Sequence, residues 1–188
     1  MCVKAILPHL DALVESAPEG GLRIYDVGCG NGLSGVPFRA LDTKIAALDG
    51  MDLSPGMVDE AKVLGCYDKL TVASLDEPLD YADNSVDLIA CVGTFSYVKS
   101  DGPCMDEMVR VGRPGALVVF THRGPYTNTP SYYEEAGWKV AQAKLEAAGK
   151  WEKVSETDDQ PYLPNHPDFG KGSSGSLACM RVFVYRVL

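Results

Sequence analysis

The run "IYDVGCGNG" at residues 24–32 sets an acid and three alternate glycines, Gly28, Gly30 and Gly32, directly behind an apolar, strand-like segment. A buried strand that turns at once into a helix needs residues tolerant of unusual φ and ψ, which glycine supplies. A ligand lying against the backbone needs the side chains absent as well. Free N–H groups at the start of the next helix favour a carboxylate or phosphate there. A glycine turn alone is a weak signal, and its setting strengthens it. "KIAALDGMD" reads as a second strand ending at Asp52. That is about twenty residues on, where an acid grips ribose hydroxyls in nucleotide-binding sheets.

The alternation continues along the chain. "GLSGVPFRAL" reads as a helix opening on the glycines. "SPGMVDEAKVLG" reads as another, with Ser54 as N-cap, Pro55 in the first turn and Gly65 as the stop. "KLTVASL" is a third strand, and "VDLIACVG" a fourth, apolar on both faces as a central parallel strand is. "CMDEMVRVG" reads as a helix, "ALVVFTHR" as a fifth strand, and "SYYEEAGWKVAQAKLEAAG" as the longest helical pattern. "WEKVSE" and "RVFVYRVL" close the series as an antiparallel pair, while "MCVKAILPHLDALVESAPEG" has only a weak helical period. The pattern predicts an α/β fold: a doubly wound, Rossmann-like seven-stranded sheet, mostly parallel with an antiparallel last strand and helices on both faces. It predicts one domain over residues 1–188, interrupted by an aperiodic loop insert rich in Pro, Gly, Asp and Ser at about 157–176.

Composition narrows the function. A formal net charge of -9 argues against general DNA or RNA binding, which needs clustered Lys and Arg. No apolar run approaches the roughly eighteen residues of a membrane span, and the amino terminus lacks the marks of a signal peptide. The 6 cysteines are scattered without a C-x-x-C pair, which suits free thiols in a reducing cytoplasm better than disulfides or a zinc site. Nothing in the sequence fixes an oligomeric state.

Dinucleotide enzymes favour G-x-G-x-x-G, and Leu33 stands where the third glycine belongs. The pattern here is D-x-G-x-G-x-G, with Asp26 before the turn. An acid beside a pyrophosphate is repelled, whereas beside an ammonium it is attracted. A ligand with an ammonium, a carboxylate and a ribose is S-adenosyl-L-methionine.

"DVGCGNG" resembles the first motif of the class I S-adenosylmethionine-dependent methyltransferases, and "GMDLSPGMVDEA" their second, G-x-D-x-S-x-x-M. "ADNSVDLIACVGTFSYV" and "VRVGRPGALVVFTHR" are similar to the family's fourth and fifth strand regions. "SLDEPLDY", "VGTFSYVKSDGPCMDEMVRV" and "EAAGKWEKV" are similar to the methyltransferase-like group named for the Williams–Beuren chromosomal region. The resemblance implies that Asp26 faces the methionine amino group, directly or through water. It implies that Gly28, Cys29 and Gly30 let the cofactor lie against the backbone. Asp52 accepts bonds from both ribose hydroxyls and Leu53 covers one adenine face. Ser74 stands where many relatives carry an acid, followed by Leu75 and then Asp76, so the adenine contact is expected to lean on Leu53, Leu75 and backbone groups. Cys91, Val92 and Gly93 lie where the family lays the methionine part. The box that amino-methylating enzymes often carry there, Asn/Asp-Pro-Pro-Tyr, is replaced by "CVGTFSY".

His122, ending the fifth strand beside the implied acceptor side, is the candidate catalytic residue, since an imidazole titrates near neutrality; the alternative is a structural imidazole. His166 in the insert is a weaker candidate. Tyr97, Tyr126, Tyr132 and Tyr133 are candidates for the acceptor pocket. Family members usually carry helices before the first strand that fold over the cofactor, and only residues 1–20 precede it here; the resemblance therefore implies either that the sequence is a fragment or that another cover is used. The implied activity is methyl transfer from S-adenosyl-L-methionine to a small-molecule or protein acceptor, giving S-adenosyl-L-homocysteine. The alternative is a cofactor-binding protein without turnover, acting as sensor or partner subunit. Asp26 and Leu33 speak against a nicotinamide oxidoreductase.

Overall fold

A computed structural model of the chain describes residues 1–123, 137–158, 160–161 and 179–188. Strands β1 (Leu22–Val27), β2 (Ile45–Asp52), β3 (Lys69–Val72), β4 (Val86–Cys91), β5 (Gly112–Arg123), β6 (Trp151–Glu156), β7 (Gln160–Pro161) and β8 (Cys179–Val187) form one sheet. Its path is β3-β2-β1-β4-β5-β8-β6, with the two-residue β7 paired to β8 off this path. The pairs from β3 through β5 are parallel, and β8 runs antiparallel to both β5 and β6. This is the expected doubly wound, mostly parallel sheet with its reversed last strand. β7 falls inside the predicted insert, of which residues 159 and 162–176, His166 among them, lie outside the described residues, as do residues 177–178. So do Tyr126, Tyr132 and Tyr133.

Helices α1 (Cys2–Ser16), α2 (Gly35–Arg39), α3 (Pro55–Leu64), α4 (Cys104–Val111) and α5 (Trp138–Ala147) flank the sheet. Alternation along the strands sorts side chains to two cores. Leu88, Ala90, Leu117 and Val119 face α1 and α2, while Ile89, Cys91, Val118 and Phe120 face α4 and α5. Every residue of β4 is buried, as expected for a strand covered on both faces.

Several elements differ from their sequence expectation. The weakly periodic amino-terminal stretch forms the longest described helix, 15 residues, despite Pro8 inside it. Pro8 has no N–H to donate to the preceding turn, and the stripe Cys2, Ile6, Leu10 and Leu13 offsets that loss by packing onto the sheet. α2 has only 5 residues, because residues 31–34 are spent in turns. β3 ends at Val72 rather than at residue 75, and β5 begins at Gly112 rather than at Ala116, with a register shift against β4 between Val86 and Leu88. The longest helical pattern becomes α5, which starts after Gly137 at φ 76; residues 131–136 lie outside the described residues.

α1 is tied to the sheet by one charge cluster. The Arg113 guanidinium pairs with the buried Asp87 carboxylate, which also accepts the Arg23 N–H at 2.7 Å, and it reaches Ser16 Oγ at 3.2 Å. Removing one partner of such a pair strands the other charge. Arg113→Ala is expected to destabilise the fold by roughly 3 kcal/mol. Asp59→Ala, which breaks the exposed Lys62–Asp59 pair, should cost less than about 0.5 kcal/mol. Urea unfolding of the two variants checks the contrast.

Candidate functional site

β1 lies at the centre of the sheet, with β2 and β3 on one side and β4 and β5 on the other, so the strand order reverses between β1 and β4. Ligands of open α/β sheets bind beyond the carboxyl ends of the strands at such a point. A cavity of about 640 Å³ opens there. Gly28 and Gly30 line it from the turn after β1, Asp52 and Leu53 from the end of β2 and the residue beyond it, Ser74 and Leu75 from beyond β3, and Val92 and Gly93 from beyond β4.

The turn after β1 is built by close approach. Gly28 has φ 75, and a Cβ there would stand 2.3 Å from Thr94 Oγ1. Instead the Thr94 hydroxyl donates to the Gly28 carbonyl at 3.1 Å. The N–H groups of Gly28 and Cys29 both donate to the Met51 carbonyl at 2.8 Å, which fastens the turn to the end of β2. Gly30 has φ 54, yet a Cβ there would meet nothing within 4 Å. No packing within the protein explains its missing side chain, and its bare α-carbon borders the cavity.

Asp52 joins the turn to the second strand. Its Oδ2 accepts the Gly30 N–H and its Oδ1 the Ser54 N–H, each at 2.9 Å. A carboxylate has about four lone-pair sites, so each oxygen retains one for a further donor. Leu53 beside it is 70% exposed while lining the cavity, an apolar surface available to a flat ring. Beyond β3 the Ser74 hydroxyl accepts the Asp76 N–H at 3.1 Å, and Asp76 itself reaches the cavity. The sequence puts the acid two places later than many relatives do, and the turn at 74–76 returns it to the same wall.

Asp26, Cys29 and Cys91 are fully or almost fully buried and are not among the residues lining this cavity. Ser34 Oγ (2.6 Å) and Tyr67 Oη (2.7 Å) both donate to Asp26 Oδ2, while Oδ1 is buried without a hydrogen-bond partner. Burial pushes the Asp26 carboxyl up to about 6; the two donors oppose this, and the Asp52 charge adds to it. Burial also pushes the Cys29 thiol up to about 12 and the Cys91 thiol well above its ordinary value, which leaves neither nucleophilic.

His122 lies in the aromatic core. It is 4% exposed, its ring stacks on Phe95 at 5.0 Å, and Phe120 and Phe183 meet it edge-on. Its Nε2 is 3.1 Å from Gln142 Nε2, and the Gln142 Oε1 accepts from Tyr185 Oη at 3.0 Å. Burial pushes the imidazole down to about 3, so it is neutral at physiological pH. Tyr97, at the end of a single 3₁₀ turn (Phe95–Tyr97), lines the cavity and is 82% exposed. Sequence reasoning missed Thr94, Asp76 and Asn31 as wall residues. α1 packs against the sheet face, and none of its residues lines the cavity.

Residues 25–120 match the family described as "Methyltransferase domain". Human methyltransferase-like protein 27 is 34% identical over 150 residues, covering 76% of this chain and 57% of that protein. The chain thus spans little more than half the length of that relative. A S-adenosylmethionine-dependent methyltransferase structure from Mesorhizobium loti superposes with a TM-score of 0.63 at 20% identity, covering 97% of each chain. The structure of the [4+2]-cyclase SpnF superposes with a TM-score of 0.64 at 18% identity, covering 96% of this chain and 80% of that one. The chain belongs to the class I S-adenosylmethionine-dependent methyltransferase family, with the methyltransferase-like resemblance expected from residues 74–154. The family's cofactor is S-adenosyl-L-methionine, and the residues present fit it. Gly30 withholds a side chain from the cavity, Asp52 keeps lone pairs for paired hydroxyls, and Asp26 holds an unpartnered acceptor atom behind the turn.

Two outcomes follow from this geometry. Gly30→Ala should fold, at a cost of ~1 kcal/mol for its left-handed backbone, and fail to bind S-adenosyl-L-homocysteine. Gly28→Ala should lose several times as much stability, because it also drives into Thr94. Thermal melts with and without ligand separate the two. Asp26 gives a pH signature. Its folded pKa lies above the unfolded value, so its stabilising contribution is full below about pH 4 and lost as pH rises through about 6. Parent stability measured against Asp26→Asn should therefore gain roughly 2.5 kcal/mol as pH falls from 7 to 4. Urea midpoints across that window check it.

Proposed function

We propose that the chain transfers the methyl group of S-adenosyl-L-methionine to a small-molecule or protein acceptor. The observation that carries this is Gly30: a left-handed glycine whose missing side chain no protein contact requires, hydrogen-bonded to a carboxylate at the end of the second strand. When bound, the cofactor supplies a sulfonium-activated methyl carbon, so no covalent enzyme intermediate is needed. The carbon–sulfur bond breaks as the acceptor's bond to the methyl carbon forms, and the acceptor gives up a proton where it carries one. The protein's part is to hold the two in line and exclude water.

Asp52 grips the ribose hydroxyls, Leu53 covers one adenine face, and Ser74 with Asp76 supplies polar groups near the adenine. The backbone of Gly28, Gly30 and Gly93 admits the methionine portion, and Tyr97 borders the acceptor's approach. His122 is assigned to structure. An imidazole held by Gln142 among aromatic rings, and neutral down to about pH 3, has little capacity to take an acceptor proton. Five buried free thiols among the described residues suit a reducing, cytoplasmic setting.

The chain should bind S-adenosyl-L-methionine and S-adenosyl-L-homocysteine in preference to NAD by calorimetry, and stabilisation by NAD alone overturns the proposal. Asp52→Ala should weaken binding by about 2–3 kcal/mol, as a charged acceptor of two hydroxyls is lost. Labelled-methyl transfer to components of a cell extract identifies the acceptor. Tight binding with no transfer to any fraction would point to the sensor or subunit alternative.

A further inference from the structure

Tyr67 belongs to none of the recognised motifs, yet it occupies the space behind the glycine turn. It stands between α3 and β3, and its ring lies so close to Gly35 and Gly50 that a Cβ at either would meet it, at 2.3 Å and 3.0 Å. Gly50 is the sheet partner of Asp26 in β2. The ring thus passes beside the strand position next to Asp26, and its hydroxyl ends 2.7 Å from Asp26 Oδ2. Ser34 immediately precedes α2, where a serine commonly caps backbone N–H groups. Here its side chain makes no cap bond and donates to the same Oδ2.

Two donors therefore converge on one carboxylate oxygen, while the other is buried with no partner. An unpaired buried acceptor of this kind is costly. A pair of donors that fixes the carboxylate plane keeps its free oxygen in one place instead of letting it turn to find a partner. We propose that Tyr67 is a positioning residue of the cofactor site: with Ser34 it pins Asp26 Oδ2, so that the buried Oδ1, behind the glycine turn rather than on the cavity wall, is held in one place as a charged acceptor whose field acts on the positive end of the cofactor. This rests on the cofactor reading above.

Asp52 on β2 is the ionised neighbour that acts on Asp26, Tyr67 bonds it, and Cys29 in the turn, Cys66 before β3, Cys2 on α1 and Cys91 on β4 feel its charge in turn. None of these is a cation, so the two hydroxyl donors are the named groups that favour the ionised form. Losing either should raise the pH at which the carboxylate takes a proton.

The test is calorimetric titration of S-adenosyl-L-homocysteine into the parent, Tyr67→Phe and Ser34→Ala between pH 5.5 and 8.5, with a melt of each variant. The parent's affinity should fall as pH drops through the range in which Asp26 protonates. In Tyr67→Phe the affinity at pH 7 should fall about tenfold, and the midpoint of its pH dependence should move up by about half a unit or more. Ser34→Ala should move the midpoint in the same direction, and it decides the matter if Tyr67→Phe does not fold. A variant that folds and binds like the parent, or that loses affinity equally at every pH, overturns the positioning role while leaving the cofactor reading intact. A folded parent that binds no S-adenosyl-L-homocysteine at any pH overturns the cofactor reading, and this inference with it.

Discussion

Gly28 and Thr94 compete for the same few ångströms, and the architecture of the site follows from how that competition is settled. Because position 28 carries no side chain, the Thr94 hydroxyl can close on its carbonyl and join the end of β1 to the segment beyond β4. The same turn is fastened to β2 through the Met51 carbonyl. Three strand ends are thereby held at one point, and the cavity is what remains between them. Gly93 continues the arrangement by donating its N–H to the buried Thr121 hydroxyl at 2.8 Å, which brings β5 into the frame. The cavity wall is therefore rigid where it is built from backbone and exposed where it is built from Leu53 and Tyr97.

Polar groups in this protein sort by their distance from that point. Near it, carboxylates are held by hydroxyl and backbone donors and remain able to accept more, as Asp52 and Asp26 do. Farther along β5, the polar chain Tyr185–Gln142–His122 is enclosed by Phe95, Phe120 and Phe183. Burial there keeps the imidazole uncharged, and at the other end of this polar chain the Tyr185 hydroxyl also meets the Glu146 carboxylate of α5 at 2.7 Å, so the network specifies how α5 meets the sheet.

Much of the cofactor half was legible in the sequence, because backbone conformation restricts residue choice. A left-handed turn demands glycine, and an acid closing a strand is conspicuous; Gly28, Gly30 and Asp52 announce themselves. Thr94 does not, since its partner is 66 residues away and a threonine after a strand has many uses. Tyr67 is silent for the same reason, lying in a connection with no periodicity. Asp76 was visible as an acid but displaced from its usual place, and only the turn at Ser74 returns it to the wall. His122 is the converse case. Its position at a strand end suggested chemistry, but whether an imidazole there meets solvent or aromatic rings depends on α5, whose packing no local pattern encodes. The shortness of α2 was hidden similarly, because Gly32, Leu33 and Ser34 suit a turn as well as the first turn of a helix.

The placement of β8 between β5 and β6 sets an order of events in folding. β6 is synthesised before β8, yet β8 is its sheet partner. Until that strand emerges, β6 has no ladder to join and β5 presents an open edge of apolar residues. The half of the sheet carrying the glycine turn is composed of β1 to β5 and can assemble earlier from nearer contacts. Birth on the ribosome is thus expected to complete the nucleotide-binding half first and to leave an unpaired strand edge waiting. That interval is when the chain is most open to pairing with another copy of itself.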